Sequence, residues 1–405
     1  MNFNIVIDSI TQKNNYDTLD FSIVKIDNNL LFKQFYSTIK IEKEKIDKLE
    51  NTDNWDKMKK IGNPYELIYT TYNKKRKNDS ISLYIPISRS YFKMWEIFNN
   101  YDFFKYFPNK NKYIFAHLAE GPGGFMEASY NYRKNIMNST NQDSYYCITL
   151  KPTTEFIPDF NKLKKLFGDN NNIKINYGNL YIINDVKNYI GNFDNNKANF
   201  VTADGGFDYS SDFNGQEINS CQIIYSECII ALNILSKHGS FVCKVFDLFS
   251  ITMVQLLYIM YESFEHVFIY KPDTSRPANS EKYIICINYK DNLTNIEKDN
   301  MIMLIEKWNN FSIEEEKNSK KINSLIFKNI KIDNNFINKL QEYNKIYMNN
   351  QMIYLNKTIE LAQNKFDKDK YYNIIQNQVS NALDWCKKYK IEINKNSIYY
   401  KKNII

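Results

Sequence analysis

Histidine and glycine are scarce in this chain, and its cysteines show no metal-binding spacing. Three histidines and six cysteines occur in 405 residues, with no C-x-x-C among Cys147, Cys221, Cys228, Cys243, Cys286 and Cys386. That is too few ligands at too irregular a spacing for a zinc site, so no metal is expected. No run of about 18 apolar residues is present, which argues against a membrane-spanning helix. The start, Met1-Asn-Phe-Asn-Ile-Val-Ile-Asp8, has neither the basic segment nor the apolar core of a secretory signal. The cysteines are therefore expected to stay reduced in an intracellular compartment. No internal repeat is evident.

What is abundant says less. The net charge of +7 and pI near 8.7 suit an anionic partner without requiring one. Aromatics make up 16% of the chain and could stack on nucleic acid. Asn, Lys, Ile and Tyr all use AT-rich codons, however, and genome bias is the simpler reading. With 405 residues the chain has room for one large α/β domain and additions.

Three of the 11 glycines fall in His117-Leu-Ala-Glu-Gly-Pro-Gly-Gly-Phe125. An apolar run, Tyr113–Ala116, precedes this segment and a helix-like stretch, Met126–Tyr132, follows it. Strand, glycine turn and helix in that order mark where an open α/β sheet binds a nucleotide-like ligand. The same turn could equally be a plain connector. It is neither G-x-G-x-x-G nor a Walker loop, so a dinucleotide or nucleoside triphosphate is disfavoured and a smaller adenosine-type ligand stays open.

From Ser88 the pattern sharpens. Ser88–Asn100 reads as an amphipathic helix with Tyr91, Trp95 and Phe98 on one face. Strand-like runs follow at Tyr113–Leu118, Tyr145–Leu150, Ile173–Tyr177, Asn199–Ala203, Gly239–Val245, Val267–Lys271 and Lys282–Tyr289. Helical stretches lie between them, most clearly Glu217–Ser236 and Ser250–Ser263. Alternation of this kind predicts an α/β fold: a seven-stranded, mainly parallel sheet with helices on both faces. The last two strands are separated only by a loop and are expected to pair as an antiparallel hairpin. Upstream lie a charged helical stretch, Lys40–Leu49, and the basic cluster Lys74-Lys-Arg-Lys77, read as a solvated loop or a phosphate contact. Downstream, Asn334–Asn364 and Asp367–Tyr389 are candidate helices, for packing, for RNA or for a partner. The expected division is an N-terminal extension (1–80), a central domain (81–292) and a helical C-terminal extension (293–405).

Four charged residues sit at or near the ends of these elements: Lys93 on the first helix, Asp204 after the fourth strand, Lys244 in the fifth and Glu281 before the last. Functional groups of an open sheet gather at the carboxyl ends of its parallel strands, and an antiparallel strand brings its amino end to the same edge. Lys244 is embedded in an apolar run, where an unpaired lysine is costly. Each of the four also has an ordinary alternative: a snorkelling lysine, a turn cap, an exposed helix lysine, a surface ion pair.

The ordered set Lys–Asp–Lys–Glu around a glycine turn resembles the FtsJ-type ribose 2′-O-methyltransferases, closest to their mRNA cap-specific branch. Asn63-Pro-Tyr-Glu66, Ala203-Asp-Gly-Gly-Phe207, Cys243-Lys-Val-Phe-Asp-Leu-Phe249 and Lys271-Pro-Asp-Thr-Ser-Arg-Pro-Ala-Asn-Ser-Glu281 carry the resemblance, which covers roughly residues 60–290. It implies a Rossmann-like fold that binds S-adenosylmethionine through Glu120, Gly121, Pro122, Gly123, Gly124, Phe125, Leu150, Lys151, Asn179 and Asp204. Leu150-Lys151-Pro152 departs from the acidic residue that often meets the cofactor ribose, and Asn179 stands where relatives often have Asp. The resemblance further implies Lys93, Asp204, Lys244 and Glu281 as catalytic residues, and Arg89, Lys271, Ser275 and Arg276 as contacts to RNA.

On this reading the substrate is capped mRNA and the target is the first transcribed nucleotide, converting cap 0 to cap 1. His117-Leu-Ala-Glu120 and Val201-Thr-Ala-Asp-Gly205 are also similar to relatives acting on the second nucleotide, and an inactive RNA-binding scaffold is the other alternative. Lys244 is expected to accept the hydroxyl proton, with burial and Lys93 favouring its neutral form and Asp204 and Glu281 limiting that shift. Other capping or transcription proteins are expected partners. The AT-rich composition and short architecture point to a large cytoplasmic DNA virus, hence to host cytoplasm or virion; a cellular source would place the protein in the nucleus.

Overall fold

A computed structural model of the chain describes residues 2–4, 13–46, 49, 53–70, 79–107, 111–138, 142–154, 157–168, 170–206, 215–317, 323–364 and 367–402. The basic cluster Lys74–Lys77, Phe207 and part of the Lys40–Leu49 stretch lie outside the described residues. In chain order the elements are β1 (Asn2–Asn4), β2 (Phe21–Lys25), α1 (Lys33–Glu44), α2 (Asp53–Ile61), α3 (Ser90–Asn100), β3 (Ile114–Leu118), α4 (Gly124–Asn135) and β4 (Ser144–Thr149). They continue with α5 (Asn161–Phe167), β5 (Ile173–Tyr177), α6 (Ile183–Gly191), β6 (Ala198–Ala203), α7 (Gln216–Ile234), β7 (Leu235–Val245), α8 (Ile251–Ser263), β8 (Phe264–Tyr270) and β9 (Lys282–Tyr289). The last are α9 (Asn295–Glu316), β10 (Asn323–Phe327), α10 (Asn334–Gln363), α11 (Lys368–Lys388) and α12 (Ile398–Lys402).

All seven expected strands form, in the sheet order β1-β8-β9-β7-β6-β3-β4-β5. Strands β7, β6, β3, β4 and β5 run parallel to their neighbours, while β9 pairs antiparallel with both β7 and β8. Two details differ from the sequence reading. The fourth-from-last residue of the Tyr145–Leu150 run is followed by strand only as far as Thr149, leaving Leu150 half-exposed beyond the edge. The sheet also gains an eighth strand, because β1 pairs antiparallel along β8. A second, two-stranded sheet joins β2 to β10, a strand where the sequence reads only as helical and lysine-rich.

The central strands are apolar on both sides, as strands covered on both faces must be. In β3, Ala116 and Leu118 enter one core with α6, α7 and α8. Phe115 enters the other core with α3, α4 and α11. The alternation is the period of two expected of a strand. Strand order reverses direction at β3: β4 and β5 lie on one side, β6 and β7 on the other. That reversal opens a crevice outside the carboxyl end of β3, where the glycine turn lies. Among the described residues, no helix is long and apolar enough to cross a membrane.

Candidate active site

The tetrad begins with α3, whose Tyr91, Phe92, Trp95 and Phe98 are buried and hold the helix against the sheet. Lys93 leaves the same helix toward the strand ends and its Nζ pairs with Glu281 Oε1 at 2.7 Å. Lys244, the second-last residue of β7, places its Nζ 3.2 Å from Asp204 Oδ1 and donates to the Asp204 main-chain oxygen at 2.7 Å. Asp204 follows β6, and Glu281 precedes β9. The expected convergence of parallel carboxyl ends with one antiparallel amino end is what the sheet produces. Tyr283, which the sequence reading missed, joins the two pairs: its hydroxyl lies 3.3 Å from Asp204 Oδ1 and 3.4 Å from Glu281 Oε1. The signal was available in principle, since Tyr283 stands opposite Lys244 in the β7–β9 ladder and directly opposed residues share a face.

On the other side of the crevice the turn after β3 carries Glu120, Gly121, Pro122 and Gly123 into α4. Gly123 has φ of 116°, a conformation that favours glycine. A Cβ on Gly124 would strike the hydroxyls of Ser88 and Ser90 at the start of α3. The turn therefore seats the lysine-bearing helix as well as any ligand. Glu120 is buried; its Oε1 accepts from the amides of Phe125 at 2.8 Å and Met126 at 3.0 Å. Its Oε2 is buried with no hydrogen-bond partner among the described residues. Phe125 is buried with its ring against Tyr283, at 5.9 Å between centroids, so it links the two halves of the site. Leu150 and Lys151 are exposed beyond β4. Asn179 lies beyond β5 with its Oδ1 bonded to the Tyr181 amide at 3.0 Å.

The candidate RNA contacts divide. Arg89 and Arg276 converge on the buried carboxylate of Glu66, at 3.1 and 3.4 Å. Arg89 also donates to the carbonyl oxygens of Tyr69 and Thr274. Ser275 donates to Glu281 Oε1 at 2.9 Å, which places it against the tetrad. Lys271 faces inward: it is buried, and its Nζ donates to the main-chain oxygens of Asn279 at 2.8 Å and Glu281 at 2.7 Å. Burial pulls its pKa well below the lysine range. It closes the loop 272–281 from within and is not placed as a surface contact for phosphate.

The electrostatics of Lys244 also differ from expectation. Burial pulls its pKa down, but the charges of Asp204, Glu281 and Glu227 outweigh burial and the net direction is upward. Lys244 therefore holds its proton in the resting protein. Glu227 reaches this site from α7, inside a helix whose residues are almost all buried. Its Oε1 accepts from the Gly205 amide at 2.9 Å, and burial pushes its carboxyl up to about 8. Glu281 moves the other way, to about 2: burial opposes the shift, but Lys93, Lys244 and Lys271 together prevail. Among the described residues, no group of three His, Cys, Asp or Glu side chains is arranged to hold a metal ion.

Residues 86–289 match the family profile described as FtsJ-like methyltransferase. The chain is similar to the cap-specific mRNA (nucleoside-2′-O-)-methyltransferase 1A of Caenorhabditis briggsae, being 29% identical over 293 residues that cover 69% of this chain and 31% of that protein. It is 36% identical over 181 residues to the cap-specific mRNA (nucleoside-2′-O-)-methyltransferase 1 of Drosophila melanogaster, covering 42% of this chain and 22% of the relative. Against the Homo sapiens protein of that same description the figures are 34% over 189 residues, 44% and 21%. The chain thus spans less than a third of each of these curated relatives. All three are animal proteins and lend no support to the viral source suggested by composition.

Proposed function

Because this chain belongs to the FtsJ-like methyltransferase family, we propose that it methylates the ribose 2′-hydroxyl of capped mRNA, with S-adenosylmethionine as methyl donor and the first transcribed nucleotide as target. One observation carries the reading: Lys93–Glu281 and Lys244–Asp204 meet as two bonded pairs across the crevice from the glycine turn. The descriptions of the animal relatives support a capped substrate. The intact pairs favour an enzyme over an inactive scaffold.

The turn fits the donor. A buried carboxylate oxygen with no partner is costly, and Glu120 Oε2 has none among the described residues, so an ammonium or hydroxyl group of the donor would satisfy it. Leu150, Lys151, Asn179 and Asp204 would line the adjoining strand ends. S-adenosylmethionine, when bound, supplies an electrophilic methyl group carried on a positively charged sulfur. The protein then has to orient and deprotonate a weakly acidic hydroxyl. Lys244 can donate an N–H to the incoming oxygen and hold it in line, while Asp204 fixes the lysine. To act as general base, which is worth roughly 10²–10⁴-fold, Lys244 must first release its proton, and a second positive charge nearby favours that release. Lys93 and Ser275 hold Glu281 in place. Arg89 and Arg276 set two guanidinium groups against one carboxylate, and the uncompensated charge suits an RNA phosphate.

The test supplies labelled S-adenosylmethionine with capped and uncapped RNA, followed by nuclease mapping of the label. The expected product carries label on the first transcribed nucleotide of capped RNA only. Equal labelling of uncapped RNA would remove the cap from the reading. Label on the second nucleotide would shift the target by one position, and no transfer to any RNA would overturn it.

A further inference from the structure

One turn along α3 from Lys93, Glu96 is fully buried and takes no part in the chemistry described so far. Its two oxygens receive five donors. Oε1 accepts from the Tyr270 hydroxyl at 2.5 Å and the Asp273 amide at 2.7 Å. Oε2 accepts from the Thr274 amide at 3.2 Å, the Thr274 hydroxyl at 3.1 Å and the Trp385 indole at 3.0 Å. All five donors are neutral. A buried carboxylate held only by neutral groups is an expensive way to join elements, since an apolar contact would do for packing alone.

The positions of the donors give the carboxylate a use. Four come from residues 270–274, the start of the segment that ends in Ser275 and Glu281. The fifth comes from α11, which lies beyond the family match at 86–289. Residues three apart on a helix lie on neighbouring faces, so Lys93 and Glu96 address the same segment at two points: Lys93 holds Glu281 and Glu96 holds Asp273 and Thr274. Helix α11 reinforces the arrangement. The Trp95 indole donates to the Tyr389 oxygen at 3.0 Å. The Gln378 side chain donates to the main-chain oxygens of Lys60, Ile61 and Asn63, just ahead of Glu66 and its two arginines.

We propose that Glu96 is a positioning residue that sets the reach from Lys93 to Glu281 by anchoring the loop after β8, and that Trp385 ties this anchor to the C-terminal region, making α11 part of the methyl-acceptor half of the site. The inference rests on the functional reading above for its effect on turnover, but not for its effect on the loop.

The test uses the full chain as wild type, Glu96→Gln and Trp385→Phe. Methyl transfer to capped RNA, S-adenosylmethionine affinity by calorimetry and hydrogen exchange at the 272–281 amides are read on the same samples. Glu96→Gln is expected to lower kcat by about 10-fold or more, as small misplacements of catalytic groups do, while cofactor affinity stays within about 2-fold. Exchange at Asp273 and Thr274 should speed up. Trp385→Phe removes one donor of the five, and should show the same pattern at a smaller size; it keeps the test open if the first variant does not fold. Wild-type exchange at those amides in both variants, or cofactor affinity falling in step with kcat, overturns the inference. If the wild type transfers no methyl group to capped RNA, the functional reading fails, and the exchange measurement still decides the positioning.

Discussion

The two halves of the crevice are built on opposite terms. At the glycine turn a buried carboxylate, Glu120, satisfies two backbone amides and leaves one oxygen with no donor among the described residues. Across from it each charged group of the tetrad already has an opposite partner. The donor half is thus left for a ligand to complete. The acceptor half is complete in itself, and a substrate must disturb it. That difference explains why Lys244 rests with its proton: the carboxylates that hold it in place are also the ones that raise its pKa.

Three measurements would break or sharpen the contrast. Lys244→Ala should have the largest effect, lowering methyl transfer by roughly 10²–10⁴-fold with cofactor affinity kept; calorimetry beside a turnover assay checks both. Near-normal turnover would remove Lys244 from the chemistry. Glu120→Gln should act on the other half alone, weakening S-adenosylmethionine binding by about 10-fold, the cost of one charge-assisted hydrogen bond, with RNA affinity unchanged. Cofactor binding at wild-type strength would mean that the open oxygen of Glu120 does not face the donor. The smallest effect is a displacement of a titration. Removing the Asp204 charge in Asp204→Asn should lower the Lys244 pKa, so that the lysine becomes neutral at a lower pH than in the wild type. Lysine side-chain NMR on the resting protein reads this directly, and an unmoved titration would show that Asp204 does not set the proton affinity of Lys244.

Much of this was legible in the sequence, and the gaps have physical causes. The seven central strands announce themselves because each is an apolar run covered on both faces. Strands β1, β2 and β10 are three to five residues long and owe their existence to partners far away in the chain, which local pattern cannot show. Lys93, Asp204, Lys244 and Glu281 stand out because charge at a strand end is unusual. Lys271 has the same appearance, but its direction depends on carbonyl groups of residues 279 and 281 that fold back over it. The protonation of Lys244 depends on a sum of three carboxylates, one of them Glu227, hidden in the apolar text of α7. Glu96 reads as an ordinary helix glutamate until Tyr270, Thr274 and Trp385 arrive around it.

The small β2–β10 sheet has a consequence for how the protein is made. Its strands, and the Asp20–Lys328 ion pair beside them, lie 308 residues apart in the chain. Such distant segments cannot meet until nearly all of the polypeptide has left the ribosome, and closing so long a loop is slow. The amino-terminal segment must wait through most of synthesis with its apolar residues, Phe21 among them, uncovered, which is the interval in which a growing chain is most open to aggregation. Nascent chains ending before residue 323 should therefore be the species that chaperones hold longest.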